Sequence, residues 1–228
     1  MSKQMEKEVA ITASALAFSY RKESEIIDSL SVSLLTGETV ALIGANGAGK
    51  TTLGKLLTGI LRPTRGTLTL FGQDASKMSL PQIGQKIGYS FQNPEQQLFT
   101  TSVEAEIAFG LKHRGMSREE ISEKTEALLS LFELQQVRYE FPLNVSWGEK
   151  RRIALAACFA LNPGYLVLDE PTTGQDEERI TILNQALERL RQRDVGMLLI
   201  SHNESFIEQN AQRILRMERG AIVDDCYC

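Results

Sequence analysis

Four short apolar runs constrain this chain more than any other feature. They are TVALIG (39–44), KIGYSF (86–91), YLVLDE (165–170) and GMLLIS (196–201). None alternates apolar with polar residues, so each reads as a strand buried on both faces, the habit of parallel sheets covered by helices. Each run also ends abruptly. The first meets ANGAGKTT, the second Gln92, the third closes on Asp169 and Glu170, and the fourth meets His202. In open parallel sheets ligands bind beyond the carboxyl ends of the strands. Four strands delivering polar side chains at one edge therefore predict an α/β fold with its site there.

Elsewhere the pattern changes. VEAEIAFGLKHR and SREEISEKTEALLSLFEL carry helical spacing, and Ser117 with Glu120 has the S-x-x-E form of a capping box. Residues 94–163 thus read as a helical insertion between two strands. LRPTRGTLTLFGQD (60–73) reads as a turn and a short alternating strand, expected to join the N-terminal segment in a smaller antiparallel sheet. That segment has a faint signal-peptide look through Lys3, Lys7 and TASALA, but Glu6 and Glu8 spoil it, and it reads as a first strand.

Composition excludes several classes. A net charge of −4 argues against sequence-independent nucleic-acid binding, which needs many cations to neutralise phosphates. Three cysteines make no disulfide framework and fit a reducing compartment. The C-x-C of Cys226 and Cys228 reads as a frayed tail before it reads as a metal site. No apolar run is long enough to cross a membrane.

The loop of Gly44, Ala45, Asn46, Gly47, Ala48 and Gly49, followed by Lys50, Thr51 and Thr52, matches G-x-x-x-x-G-K-[ST] between a strand and a helix start. Glycines let the backbone amides curl around phosphate oxygens, and the helix N-terminus adds partial positive charge. Lys50 suits the β and γ phosphates, and the Thr51 hydroxyl suits Mg²⁺. Asp169 and Glu170 then supply a carboxylate for the metal's surroundings and a general base for water; alone, an acidic pair at a strand end is as often a helix cap. His202 and Gln92 share the strand-end position, and Tyr20 is either a base-stacking aromatic or an ordinary core or surface one. In NVSWGEKRR (144–152), Ser146 and Glu149 form another capping box, opening a helix whose first turn holds Trp147 and Gly148, and the Lys150–Arg152 run that follows reads most plainly as a solvated basic face.

Taken in order, the phosphate loop, Gln92, NVSWGEKRR, LVLDEPTTGQD and His202 resemble the nucleotide-binding subunit of an ABC transporter over nearly the whole chain. NPEQQLF (93–99), TSVEAEIAFG (101–110) and GEKRRIALA are similar, more particularly, to the ATPase of energy-coupling-factor importers of vitamins or metal ions. The resemblance implies a single domain. Residues 1–92 and 164–228 form a P-loop ATPase core with a mainly parallel sheet and a small antiparallel β subdomain, and 93–163 form an inserted helical subdomain. It implies ATP and Mg²⁺, with Thr51, Gln92 and Asp169 toward the metal and Lys50, Glu170, His202 and Gln92 as catalytic groups. Tyr20 falls where an adenine-stacking aromatic is expected, and Asp176 falls in the loop that communicates across the dimer. Ser146, Trp147, Gly148 and Glu149 fall in the signature that clamps ATP on the opposite subunit, with Trp147 replacing a glycine.

The implied partners are a second ATPase subunit, identical or related, and membrane-embedded transporter subunits, with the chain peripheral on the cytoplasmic face. Nucleic acid is not among them. Family importers often carry a further C-terminal segment that holds the pair together, and its lack here leads to the expectation that pairing relies on ATP. A soluble ABC ATPase of DNA repair or translation is the alternative. The stretch between Lys50 and Asp169 is too short for the coiled coils of repair members, and translation members usually hold two ATPase modules. A GTPase is disfavoured by the lack of an N-K-x-D motif.

Overall fold

The computed structural model describes residues 8–21 and 25–228. Lys3, Glu6 and Lys7, which gave the N-terminus its leader-like look, lie outside the described residues. Two sheets organise the chain. The smaller is antiparallel, in the order β2-β1-β4-β5, from β1 (Val9–Phe18), β2 (Ile27–Leu35), β4 (Arg65–Leu70) and β5 (Gln73–Asp74). TASALA thus lies within a strand paired on both sides, the first strand expected from the sequence.

The larger sheet contains β3 (Thr39–Ile43), β6 (Ile87–Ser90), β7 (Tyr165–Asp169), β8 (Gly196–Ile200), β9 (Arg213–Glu218) and β10 (Ala221–Tyr227). Its order is β10-β9-β3-β8-β7-β6, parallel throughout except for the β9–β10 hairpin. The expected frayed tail is corrected here. Cys226 sits opposite Ile214 within the hairpin, and the Cys228 amide donates to the Gln212 carbonyl at 3.0 Å. Ladder hydrogen bonds hold backbone that sequence polarity alone marks as loose. Among the described residues no cluster of His, Cys, Asp or Glu could hold a metal ion.

Helices cover both faces of this sheet. They are α1 (Lys50–Leu57), α2 (Leu80–Gly84), α3 (Val103–His113), α4 (Arg118–Leu131), α5 (Trp147–Ala160), α6 (Glu177–Arg191) and α7 (Glu204–Asn210). Side chains alternate across a strand, so β7 sends Tyr165 and Val167 into one core and Leu166 and Leu168 into another. The first core adds Leu53, Leu56 and Leu57 of α1 and the inner face of the small sheet. The second packs α3, α4, α5, α6 and α7 against β7 and β8. The inserted helices therefore share a core with the sheet.

Both capping boxes form: Ser117 with Glu120 opens α4, and Ser146 with Glu149 opens α5. The Lys150–Arg152 run is not a solvated basic face. Arg151 is 0% exposed, with Nη1 donating to the Phe91 carbonyl at 2.7 Å and Nη2 to the Gln92 carbonyl at 2.5 Å. Lys150 pairs with Glu95 at 2.6 Å, and Arg152 Nε donates to the Phe132 carbonyl at 2.9 Å. Arg151 lies on the apolar stripe of α5 with Ala154, Leu155 and Cys158, which is why it turns inward. Replacing it strands two carbonyls that lose their charged donor. Arg151→Leu should lower unfolding stability in urea by about 2–4 kcal/mol.

Candidate functional site

Backbone pairing aligns the strand ends. Leu42 lies opposite Ile200, Ile200 opposite Asp169, and Leu168 opposite Ser90. The segments leaving these strands therefore emerge side by side. The phosphate loop leaves β3, Glu170 leaves β7, His202 lies just past β8 and Gln92 just past β6. The result is a pocket of about 410 Å³ whose lining includes Asn46, Gly47, Gly49, Lys50, Thr51, Thr52, Gln92, Asp169, Glu170 and His202.

Gly44 opens the loop at φ +150°, and a Cβ there would stand 2.2 Å from the Met217 carbonyl oxygen. Only glycine lets the loop leave β3 this close to β9. Gly44 and Ala45 supply carbonyls to the Lys50 ammonium at 2.7 and 3.1 Å, and the Ala48 side chain joins the core. Lys50 Nζ also lies 3.4 Å from His202 Nε2, which is 3.5 Å from Glu170 Oε1. Lysine, histidine and glutamate thus form one contact chain across three strand ends. Glu170 adopts φ +52°, its amide donating to the Ile200 carbonyl at 2.8 Å. A left-handed conformation at a non-glycine residue is strained, and here it turns the carboxylate into the pocket.

Burial shapes the electrostatics. Desolvation raises the Asp169 carboxyl, opposed by hydroxyl contacts from Thr51 and Tyr89. It also raises Glu170, against the pull of His202, and lowers the Lys50 ammonium against the attraction of Glu170 and Asp169. Tyr89 OH donates to Asp169 Oδ2 at 2.9 Å, and among the described residues no hydrogen-bond partner reaches the buried Asp169 Oδ1. An orphaned buried carboxylate oxygen near a threonine hydroxyl and an amide suits a hard cation that takes oxygen ligands. Thr51, Gln92 and Asp169 therefore fit Mg²⁺.

Other expected residues fall elsewhere. Tyr20, 57% exposed, stacks edge-on against Phe18 at 4.8 Å and is not part of the pocket lining. Asp176 caps α6, Oδ1 accepting from the Arg179 amide at 2.9 Å. Ser146, Trp147, Gly148 and Glu149 sit at the start of α5, also outside the pocket lining. Tyr89 and Gln97 were not anticipated. Gln97 accepts from the Phe91 amide at 3.4 Å and donates to the Ala154 carbonyl at 2.9 Å, bridging the segment after β6 to α5. Tyr89 looked like core within KIGYSF, and only strand pairing brings its hydroxyl to Asp169.

Known proteins agree with this architecture. A family profile described as ABC transporter matches residues 27–173, well over half of the chain. An ABC transporter ATP-binding protein of Methanosarcina mazei is 37% identical over 222 residues, covering 97% of this chain and 44% of that protein. One from Pyrococcus furiosus is 35% identical over 205 residues, covering 90% of this chain and 78% of that one. The first five relatives are longer, and the chain spans only 34–44% of their length. Among solved structures, cbiO1 of Clostridium perfringens superposes with a TM-score of 0.82 at 23% identity, covering 96% of this chain and 89% of that one. That protein is part of the ABC transporter complex cbiONQ. With its phosphate loop and acidic strand end in one pocket, the chain belongs to the ABC transporter family of ATP-binding proteins and has the fold of an ABC ATPase domain.

Proposed function

We propose that this chain hydrolyses Mg-ATP as one half of an ATPase pair and passes the resulting motion to a membrane transporter. The observation that carries this reading is the gathering of Lys50, Asp169, Glu170, His202 and Gln92 into one pocket. Lys50 exchanges loop carbonyls for β- and γ-phosphate oxygens. Water attacks the γ phosphorus in line, the bond to the bridging oxygen breaks, and ADP leaves. The water proton passes to Glu170, whose raised affinity for protons makes it the stronger base. His202 lies within reach of both Glu170 and the Lys50 ammonium. Thr51, Asp169 and Gln92 would hold Mg²⁺, which would supply neutralisation of phosphate charge.

The signature residues lie outside their own pocket lining, which supports their serving ATP on a second subunit, identical or related. A second cleft supports the membrane partner. An apolar groove of about 750 Å³ runs between α2 and α3, and its lining includes Ile60, Leu80, Phe91, Gln97, Phe99 and Phe109. Phe99 is 63% and Leu80 56% exposed, an unusual display of large apolar side chains. Because Phe91 and Gln97 belong both to this groove and to the strap beside Gln92, its occupant is placed to feel the nucleotide. We assign it to an apolar segment of a membrane-embedded subunit, which would hold the chain at the cytoplasmic face. Among the described residues no helix is long and apolar enough to cross a membrane itself. The NPEQQLF and TSVEAEIAFG stretches, with the likeness to cbiO1, favour an energy-coupling-factor importer of a vitamin or metal ion.

Three outcomes test this. Glu170→Gln should cut kcat at least roughly a hundredfold and accumulate ATP-bound pairs in size-exclusion chromatography; wild-type turnover would remove Glu170 as the base. Phe99→Glu with Leu80→Glu should lower recovery of the chain with membranes roughly tenfold and leave basal hydrolysis within about twofold. The third concerns pH. Because burial raises Glu170, the acid limb of kcat should lie above the ordinary glutamate value of 4.5. Between its unfolded and folded pKa the native state binds the extra proton, so stability falls as pH rises through that window. At pH 7 the charged form costs stability, and Glu170→Gln should raise the nucleotide-free Tm by roughly 2–4 °C.

A further inference from the structure

Trp147 stands where the family resemblance calls for a glycine, and its surroundings give it a task. It is the sole tryptophan of the chain and the first residue of α5, 43% exposed. Its indole lies against Gly174: a Cβ built on that glycine would meet Cδ1 at 2.9 Å and Nε1 at 3.4 Å. Gly174 also holds φ +75°, so backbone conformation and the indole both exclude a side chain there. A second link runs alongside, with Gln175 Nε2 donating to the Gly148 carbonyl at 3.2 Å.

These contacts seize the turn that begins at Glu170. The Thr173 amide donates to the Glu170 carbonyl at 3.3 Å, and the Gln175 amide to the Thr172 carbonyl at 3.1 Å. Asp176 then anchors the far end as the cap of α6. Glu170 itself is in the left-handed region, so its carboxylate depends on the constraints placed on this turn. The indole also walls a cleft of about 370 Å³ with Thr51, Lys55, Gln92 and Thr173, all of the same chain.

We infer that Trp147 is a positioning residue for this chain's own hydrolysis: laid on Gly174, it makes the start of α5 and the turn carrying Glu170 move as one piece. The inference rests on the reading of Glu170 as the general base.

Mg-ATP hydrolysis separates the possibilities, using the purified chain, or its complex with a second ATPase if only that form turns over. Trp147→Gly should lower kcat roughly tenfold, because the turn carrying Glu170 loses its support. Trp147→Phe, which keeps an aromatic ring for Gly174, should retain more than half the activity. Gln175→Ala should also lower kcat, and the double variant Trp147→Gly with Gln175→Ala should fall less than the product of the two single effects, as expected for one shared link. Wild-type or faster turnover in Trp147→Gly would overturn the inference and mark the indole as an obstacle or a bystander. Should that variant fail to fold, normal kcat in Gln175→Ala or loss in Trp147→Phe equal to a full knockout would overturn it as well. Glu170→Gln is the separate control. If it turns over normally, the base assignment fails, whatever Trp147 does.

Discussion

Parallel backbone pairing between β3, β8, β7 and β6 is the constraint on which the rest depends. Its register places the residues after Ile43, Ile200, Asp169 and Ser90 in one row, although they come from widely separated parts of the chain. Nothing in the pocket needs to find its neighbour by side-chain chemistry. Hydrogen bonds along the ladders do the placing, and the two apolar faces of the sheet lock the register, because a one-residue slip would exchange the side chains of both cores. The Lys50–His202–Glu170 contacts are a consequence of that register.

The pocket sits on strain and buried charge that the cores must tolerate. Among the described residues one Asp169 oxygen is left unpartnered, Glu170 adopts a left-handed backbone, and Lys50 is bonded to carbonyls of its own loop. A cation bound there would relieve the orphaned oxygen, and phosphate oxygens would replace the carbonyls now held by the lysine ammonium. Stability and activity pull apart here, as they do wherever preorganised charge is kept out of water. Arg151 shows the opposite case. Its charge is fully buried and bonded to the carbonyls of Phe91 and Gln92, so it joins α5 to the segment that carries Gln92 into the pocket lining. The two residues it holds line different cavities, Phe91 the apolar groove and Gln92 the pocket.

Much of this was legible because local physics dominates it. The phosphate loop needs glycine at Gly44 for its exit past Met217, and the sequence shows that glycine. Capping boxes at Ser117 and Ser146 close within four residues, so their spacing alone predicts them. The features that escaped depend on distant partners. Tyr89 reads as an ordinary core aromatic until β6 pairs with β7 and brings its hydroxyl to Asp169. The Lys150–Arg152 run reads as a solvated face until the helix azimuth turns Arg151 inward. The hairpin that orders Cys226 has exposed, unremarkable residues, and only its edge position beside β9 makes it a strand.

By itself, then, the amino-acid order determined which segments become buried strands, where helices begin, and which residues can hold phosphate, because burial on both faces, capping and loop conformation are local demands. Only the tertiary structure decided which of those residues share a pocket and which do not. Tyr20 was placed on Phe18, the signature residues were left outside their own pocket lining, and Trp147 was laid on Gly174. The physical reason is that strand register and helix azimuth are settled by the packing of whole faces, a sum over many residues that no single motif contains.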